Sequence, residues 1–310
     1  MLSEDQRFLL RGSLKTEKVL QTLQGASVDP KAHTCVHVWI EGRGIGSEVN
    51  NLISAAVFCE RHGLDCVVED ESWNAGRFGD YLDAAPVVHS RCPRGDGCRR
   101  LEVRRSGQVA TPGWFAVCKH ALGVPFGAKA ECARRLWRLA PRAREAVAAH
   151  NAPLGLPGSY LAVHMRQGDK VFQPSGQKGN EAWPIQPSAY AQRALSHLAP
   201  PVAAVAVCSD DVSAAEAFAA EVARARPDVQ VCWRPRLGAP EALRRGHWQQ
   251  AWNAQPLEER RALTHEFLAD VEVMRGAHTL VCTHSSNVGR LVAQLRDGPT
   301  HSLDEAWTNS

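Results

Sequence analysis

A short apolar stretch that ends in charged residues is the first candidate site of this chain, over residues Leu161 to Lys170. Ligands of α/β proteins lie outside the carboxyl ends of the strands, and phosphate groups require fixed cations there. Arg166 offers a planar pair of donors, Lys170 a point charge, and His164 its ring or its backbone. Asp169 is better suited to anchoring the loop. The stretch predicts an enzyme that holds an anionic substrate, with a surface salt-bridge cluster as the alternative.

The glycine-rich segment around Arg43 is a second candidate anion site. It follows a predicted strand and opens a helix, so its N–H groups, including those of Gly44 and Gly46, could hold a phosphate. Its spacing is GxGxG rather than the GxGxxG of dinucleotide-binding proteins, and Glu69 is a weak counterpart of their ribose-binding acid. A nicotinamide-dependent oxidoreductase is therefore poorly supported. A tight turn that requires glycine is the other interpretation.

Hydroxyl and amide side chains gather between a late apolar strand and the helix after it. Ser285, Ser286 and Asn287 lie there, where the first N–H groups of a helix have no partner within it. Such a group of donors is suited to an anion. Helix capping is the alternative, although capping requires only one such residue.

Acidic residues occupy two further positions of interest. Asp210 and Asp211 follow a predicted strand, where they could hold a metal or a ribose, but a helix cap by Ser209 or Asp210 explains them equally well. Asp270 lies among apolar residues of a predicted helix. It can accept hydrogen bonds from a base such as guanine, or it can face solvent.

Composition excludes several classes of protein. The 310 residues are 44% apolar and 22% charged, and the formal charge of +3 is too small and too dispersed for a nucleic-acid partner. The sequence contains no run of about 18 apolar residues, the length needed to span a membrane. Its first residues are charged and lack the apolar segment of a signal peptide. The sequence as it stands predicts a cytoplasmic protein. The Golgi lumen of the secretory pathway is the alternative if a leader has been removed.

The ten cysteines show no zinc-binding spacing, so we expect no metal site and mostly buried free thiols. Cys92 and Cys98 are the exception, because they flank a turn-rich loop that a disulfide could close in an oxidising compartment. The absence of a signal peptide argues against that pair. Both alternatives remain open at this point.

Alternating strands and helices predict an α/β protein. In the first half we expect a strand over 35–40, a helix capped by Ser47 that ends at Gly63, and a strand over 64–69. Residues 70–125 lack periodicity and should form loops and short elements. Residues 129–150 are helical in pattern, with Pro141 dividing them into two helices.

The second half alternates more regularly, as in a parallel sheet wrapped by helices. The predicted strands cover 160–165, 202–208, 229–233 and 279–282, and the predicted helices cover 187–198, 212–225, 257–275 and 286–296. The simplest architecture is two Rossmann-like domains that face each other across a central cleft. We place them at 1–155 and 156–310, and the last residues of the second can pack back on the first.

Four blocks of this sequence together resemble the α1,6-fucosyltransferase family, which includes core and nodulation fucosyltransferases, and more distantly the protein O-fucosyltransferases. The blocks cover 42–71, 164–170, 209–211 and 267–290, and 301–305 extends the match. The second block, HMRQGDK, is close to the family pattern HxRRxDK. The resemblance implies a GT-B fold, GDP-fucose as donor, a carbohydrate acceptor, and inverting transfer with neither a cofactor nor an essential metal. It also implies that 1–155 lies on the acceptor side and that 156–310 binds the nucleotide sugar.

The resemblance also implies roles for individual residues. Arg166 would bind the β-phosphate, and His164 and Asp270 would bind guanine. The remaining donor-binding residues are Ser285, Ser286, Asn287, Arg43, Gly44, Gly46 and Lys170. The family places its catalytic base soon after the second block. If part of 172–180 is an insertion, Glu181 takes that position and Tyr190 aligns with the tyrosine that follows it.

Three departures from the family pattern qualify the resemblance. Gln167 replaces the second arginine, and Gly289 replaces a cysteine that pairs within the last loop. The membrane anchor, stem and SH3 domain of the animal enzymes have no counterpart. Two alternatives therefore stay open: a transferase that uses another nucleotide sugar, and a degenerate relative that binds a GDP-sugar or glycan without turnover.

Overall fold

A computed structural model describes most of the chain as two compact units, the first ending at Ala140 and the second beginning at Pro141. Each unit has a parallel β-sheet with helices, so the predicted α/β class is confirmed. The described residues are 34–40, 42–71, 73–85, 87–93, 99–104, 114–116, 124–170, 184–200, 202–235 and 246–304.

The first unit contains a parallel sheet in the order β2-β1-β3-β4. Its strands are β1 (Thr34–Trp39), β2 (Asp65–Glu69), β3 (Arg99–Arg104) and β4 (Trp114–Ala116), and its helices are α1 (Ile45–Arg61) and α2 (Phe126–Leu136). A single 3₁₀ turn, Phe78–Asp80, lies after β2. The short strands β3 and β4 fall within the stretch for which loops and short elements were expected.

Helix α1 begins earlier than predicted. Its N-cap is Gly44, which makes no side-chain capping bond, so the assignment of Ser47 as the cap was wrong. The backbone carbonyl of Gly44 accepts from the N–H groups of Ser47 and Glu48 at 2.9 and 3.2 Å. At the other end Gly63, with a φ of 63°, lies just beyond the helix as expected, because glycine adopts the left-handed conformation without strain.

Cys92 is disulfide-bonded to Cys35, which lies in the buried strand β1. Their Cα atoms are 6.4 Å apart, within the range of disulfides. Of the two alternatives left open by the sequence, the pairing of Cys92 with Cys98 is therefore contradicted; Cys98 itself lies outside the described residues. Sequence spacing could not indicate Cys35, since the two partners are 57 residues apart and only the fold brings them together.

The second unit contains a parallel sheet in the order β7-β6-β5-β8-β9. Its strands are β5 (Leu161–Met165), β6 (Ala204–Ser209), β7 (Gln230–Trp233), β8 (Thr279–Cys282) and β9 (Thr300–Ser302). Its helices are α3 (Pro141–Asn151), α4 (Pro187–Leu195), α5 (Val212–Ala225), α6 (Gln249–Asn253), α7 (Leu257–Gly276) and α8 (Asn287–Leu295). Every residue of β5 is buried, as expected for the central strand of a sheet covered on both faces.

Helix α3 belongs to the second unit because it packs against α7. The Asn151 side chain at its end donates to the Ala269 carbonyl of α7 at 3.3 Å. The division of the chain therefore falls after Ala140, before the helix, rather than near residue 155. Which unit binds donor and which binds acceptor stays a prediction.

Strand β9 was not anticipated from the sequence. It pairs with β8 in parallel register, Leu280 with Thr300 and Cys282 with Ser302, and the Leu303 N–H donates to the Cys282 carbonyl at 2.9 Å. Three residues are too few to show a strand periodicity. The strand fixes the residues that follow it beside the carboxyl end of β8.

Two further features are absent from the described ranges. Among the helices of the described ranges, none has the length and apolar character needed to cross a membrane. Across the same ranges, no group of three or more metal-ligating side chains comes together.

We predict that replacing Cys92 by serine lowers the free energy of unfolding by about 2–4 kcal/mol, because the bond to Cys35 closes a long loop and so restricts the unfolded chain. Urea unfolding would measure the change, and wild-type protein under a reductant should match Cys92→Ser. Peptide mapping without reductant should recover Cys35 linked to Cys92. A peptide linking Cys92 to Cys98 would contradict this assignment.

Candidate functional site

The carboxyl edge of the second sheet brings the main predicted site residues together. Strands β6, β5 and β8 are neighbours there, and each ends in polar residues: Ser209 with Asp210, Arg166, and Thr283 with His284. Parallel strands place these ends side by side.

Arg166 is held between two carboxylates. Its Nη2 lies 2.5 Å from Asp169 Oδ1, and its Nη1 donates to Asp210 Oδ2. The side chains of Arg166 and Asp210 are only 12% and 10% exposed, so this is a buried cluster and not the surface cluster of the alternative interpretation. Because the guanidinium has five N–H donors in a rigid plane, two carboxylates fix its orientation and still leave donors for a ligand.

Asp210 connects three segments of the chain. Its Oδ1 accepts from the Gln167 N–H at 2.7 Å, and its Oδ2 accepts from the His247 N–H at 2.9 Å as well as from Arg166. This set of donors holds the carboxylate in one orientation. Asp169 anchors the same loops, as expected, because it accepts from the Gln249 N–H at 3.1 Å.

The helix cap after β6 is Asp211, whose side chain accepts from the Ala214 N–H at 3.0 Å. Capping by Ser209 or Asp210 was therefore the wrong assignment, although capping itself was the right interpretation. Ser209 Oγ instead accepts from the Asp211 N–H at 3.1 Å. The two adjacent acids thus have different functions, one holding Arg166 and one capping α5.

Two glycines allow the loops around Arg166 to cross in close contact. Gly168 and Gly246 have φ angles of 69° and 101°, which disfavour any side chain. A Cβ on Gly168 would lie 2.6 Å from the His247 N and O, and a Cβ on Gly246 would lie 2.4 Å from the Gly168 Cα. Sequence analysis missed residues 246–249 completely, because the segment has no periodicity and no recognisable motif.

His247 is half-buried in this cluster, and its partial removal from water, followed by the charge of Arg166, lowers its pKa. The ring is therefore neutral near pH 7 and adds no charge to the site. Its Nε2 lies 3.2 Å from Gln249 Oε1, and the Gln249 amide donates in turn to Asn253 Oδ1 at 2.8 Å. The His247 ring thus connects the loop at 246–248 to the first residue of helix α6.

The loop between β8 and α8 contains the predicted hydroxyl and amide groups. Ser286 is the N-cap of α8 and accepts from the Val288 N–H at 3.2 Å, so the capping interpretation holds for this residue. Asn287 Oδ1 accepts from Arg290 Nη2 at 2.9 Å, and Arg290 Nη1 donates to the His284 carbonyl at 2.6 Å. The second half of the loop is therefore held by its own helix.

Ser285 has a different partner from its two neighbours. Its hydroxyl donates to Asp304 Oδ2, and its N–H donates to the same oxygen at 3.3 Å. The His284 N–H donates to Asp304 Oδ1 at 2.8 Å. An acid from just beyond β9 therefore occupies donors that the sequence interpretation left for a ligand.

Gly289 is explained by the space around it. A Cβ there would lie 2.2 Å from the Thr283 carbonyl oxygen, so a cysteine could not occupy this position without a shift of the loop. The same Cβ would lie 3.4 Å from the sulphur of Cys282, which is a free thiol here. Burial raises the pKa of Cys282 to about 12, so it is not a reactive thiol.

Asp270 is buried in an ion pair and does not face solvent. Its Oδ1 accepts from Arg234 Nε and Nη2 at 3.2 and 3.0 Å, and the two side chains are 13% and 14% exposed. Arg234 also donates to Asn151 Oδ1 at 2.9 Å. His164 is buried on β5 opposite Cys208, whose thiol lies 3.7 Å from the Asp270 carbonyl oxygen. Cys208 thus links the two residues that were assigned to guanine.

The remaining predicted residues lie elsewhere or outside the description. Arg43, Gly44 and Gly46 are at the start of α1, in the first unit. Lys170 ends the 3₁₀ turn Gly168–Lys170. Glu181 falls outside the described residues, so its role as the base stays a prediction.

Comparison with solved structures finds fucosyltransferases that share this fold at low sequence identity. The NodZ α1,6-fucosyltransferase soaked with GDP-fucose is 14% identical, with a TM-score of 0.52 over 85% of this chain and 93% of that one. NodZ from Bradyrhizobium has a TM-score of 0.53 at 14% identity, over 86% and 94% of the two chains.

More distant fucosyltransferases match equally well. An Arabidopsis thaliana FUT1 variant with GDP is 14% identical, with a TM-score of 0.52 over 94% of this chain and 76% of that one. POFUT1 with GDP is 10% identical, with a TM-score of 0.52 over 89% and 99%. No protein-family profile and no curated sequence matches this chain. The predicted resemblance to fucosyltransferases is thus confirmed in fold.

We predict that Gly246→Ala lowers the free energy of unfolding by about 2 kcal/mol or more, because the new methyl group meets the backbone of Gly168 at a positive φ. Gly158→Ala is the matched control, since a Cβ there meets nothing within 4 Å. Urea unfolding of both variants would check the prediction. Equal stability of the two variants would show that the two loops do not cross in close contact.

Proposed function

We propose that this protein is a glycosyltransferase that moves fucose from GDP-fucose to a carbohydrate hydroxyl, with inversion and without an essential metal. The observation that carries the proposal is Arg166, fixed by two buried carboxylates at the carboxyl end of the central strand of a fucosyltransferase-like fold. Solved neighbours with that fold contain GDP or GDP-fucose. The predicted cleft between two Rossmann-like domains is part of the proposal.

The donor's diphosphate would lie between Arg166 and the β8–α8 loop, because β5 and β8 are adjacent. Asp169 and Asp210 outweigh the single charge of Arg166, so further donors are needed for the phosphates. Ser286 and Asn287 are suited to supply them, and Lys170 and Arg43 are the other candidate cations. The carboxylates serve to orient the guanidinium before the ligand arrives, which is the arrangement that makes fixed charges effective.

Guanine would be bound beside Asp270. The base presents an exocyclic amine as a donor, for which a carboxylate is the matching acceptor. The ion pair with Arg234 fixes the position of the Asp270 carboxylate. His164, connected to Asp270 through Cys208, is the second residue that we assign to the base.

In the proposed reaction, the acceptor hydroxyl attacks the anomeric carbon of fucose while the bond from that carbon to the β-phosphate oxygen breaks. Glu181 takes the hydroxyl proton, and GDP leaves with the bonding electron pair, its charge stabilised by Arg166. One such electrostatic contact can contribute about 3 kcal/mol to the transition state. No electrons are exchanged, so the reaction requires no redox cofactor.

Gln167 favours a second candidate, a degenerate relative that binds a GDP-sugar or glycan without turnover. Where the resemblance has an arginine, Gln167 supplies its N–H to Asp210, and its side chain reaches the Ile185 carbonyl at 3.4 Å. The site thus has one cation fewer. A transferase for another nucleotide sugar is the remaining alternative.

The Cys35–Cys92 bond bears on the compartment. Disulfides persist in oxidising environments and are rare in the cytosol. Of the two localisations expected from the sequence, we therefore favour the secretory pathway.

Calorimetric titration in EDTA tests the proposed donor. We expect GDP-fucose and GDP to bind, GDP-mannose more weakly than GDP-fucose, and UDP-glucose and NAD not to bind. Release of GDP from GDP-fucose over a panel of glycan acceptors then separates a transferase from a degenerate relative. If the protein bound no GDP-sugar, the proposed function would be wrong even though the fold is that of fucosyltransferases.

Arg166→Lys should weaken GDP binding by about tenfold to a hundredfold, because lysine keeps the charge but loses the planar pair of donors. Guanosine, which has no phosphate, should bind the variant as it binds the wild type. Arg193→Lys, at an exposed position of α4, is the matched control. Unchanged GDP affinity in Arg166→Lys would count against the phosphate role.

Glu181→Gln should reduce transfer by about a hundredfold or more, since a positioned general base contributes at least that much. GDP affinity should not change, because the base contacts only the acceptor. Glu216→Gln, an exposed acid on α5, is the control with the same change of charge. Normal turnover in Glu181→Gln would rule out this residue as the base.

A further inference from the structure

We propose that Asp304 is the positioning residue of the β8–α8 loop, and that through it the end of the chain sets up the diphosphate site. This inference rests on the proposed function. It assigns no ligand contact to Asp304 itself. The residue acts on His284 and Ser285, which directly precede the groups that would contact the phosphates.

The carboxylate of Asp304 gathers the first half of the loop. It accepts from the N–H groups of His284 and Ser285 and from the Ser285 hydroxyl. Ser302 completes the arrangement, because its hydroxyl accepts from the His284 N–H at 3.0 Å and donates to Asp304 Oδ1 at 2.8 Å. Hydrogen bonds to an ionised acceptor are about twice as strong as neutral ones, so this contact dominates the conformation of the loop.

Asp304 is a fixed partner of the loop and not a stand-in that a phosphate could displace. It comes two residues after β9, which pairs with β8, and the Leu303 N–H donates to the Cys282 carbonyl at 2.9 Å. The main chain that leads into this carboxylate is therefore held at the edge of the sheet. An incoming phosphate would also have to replace an acid that the protein already pairs with several donors.

The three predicted loop residues therefore divide into two kinds. Ser285 gives its hydroxyl proton to Asp304, and the negative charge beside it repels a phosphate. Ser286 and Asn287 lie on the other side, where Arg290 donates to Asn287 Oδ1 and to the His284 carbonyl. Since Arg290 donates to the oxygen of Asn287, the amide nitrogen is the part of this side chain that is suited to donate to a phosphate. We assign the diphosphate contacts to Ser286 and Asn287, and not to Ser285.

The first test is Asp304→Asn, which keeps the shape of the side chain but removes its charge and one acceptor. We expect GDP affinity to fall about tenfold, the equivalent of one hydrogen bond to a charged group. Guanosine affinity should stay unchanged, because the base lies elsewhere. Asp297→Asn, an exposed acid near the end of α8, should behave as wild type. Parallel loss of GDP and guanosine binding, or tighter GDP binding, would overturn the proposal.

A measurement without ligand separates this inference from the proposed function. Hydrogen exchange in peptides covering 283–288 should be faster in Asp304→Asn than in wild type or Asp297→Asn, since two amide donors lose their charged acceptor. Unchanged exchange would overturn the positioning role whether or not GDP binds. Failure of the wild type to bind GDP, with faster exchange in the variant, would instead count against the proposed function and remove the diphosphate part of this proposal.

Ser285→Ala provides a second test that does not depend on the stability of Asp304→Asn. It removes the hydroxyl but keeps the carboxylate and both backbone contacts. We expect GDP affinity equal to wild type, because Asp304 and not a phosphate accepts the proton of Ser285. A loss comparable to that of Arg166→Lys would make Ser285 a direct ligand and overturn the assignment.

Discussion

The buried contact between Arg166 and Asp210 is the interaction on which the candidate site depends. Arg166, Asp210 and His247 belong to three separate segments, and the Asp210 carboxylate bonds to the other two segments. A carboxylate that is mostly removed from water must find donors, because an unpaired buried charge costs several kcal/mol. The cluster therefore forms as a whole or not at all. That requirement fixes the loops after β5 and β6, and the crossing at Gly168 and Gly246 leaves them little freedom.

Acids rather than cations are the surplus charge around this site. Asp169 and Asp210 hold Arg166, Asp304 holds the β8–α8 loop, and Asp270 is paired with Arg234. Negative side chains would repel a diphosphate if they contacted it directly, so these acids must have another function in the proposed site. Each acid accepts hydrogen bonds from groups that must stay in place. The carboxylates hold the donors in place before the ligand binds, so that little reorganisation is needed when charge develops on the leaving group.

Periodicity predicted the second unit well, because its elements are long or fully buried. Helix α5 and strand β8 have the bounds expected from the sequence, and the ends of the other strands differ by one or two residues. Strand β9 was missed since its three polar residues show no pattern. Pairs of residues that only the fold brings together could not be predicted from the sequence either, because no spacing rule connects them. They are Cys35 with Cys92, Arg234 with Asp270, and Asp304 with Ser285.

The difference between contacts made by the main chain and contacts made by charged side chains explains which departures from the fucosyltransferase pattern this fold tolerates. Gln167 contacts Asp210 through its backbone N–H, a donor that almost any residue supplies, so its side chain can change without loosening the cluster. Position 289 has no room for a side chain, because the Thr283 carbonyl fills the space. The loop is held instead by Asp304 and Arg290. Arg166, Asp210 and Asp304 act through charged side-chain atoms, for which the backbone offers no substitute. A fold matched at 14% identity therefore depends on a few charged contacts, and its remaining loop contacts are made largely by the main chain.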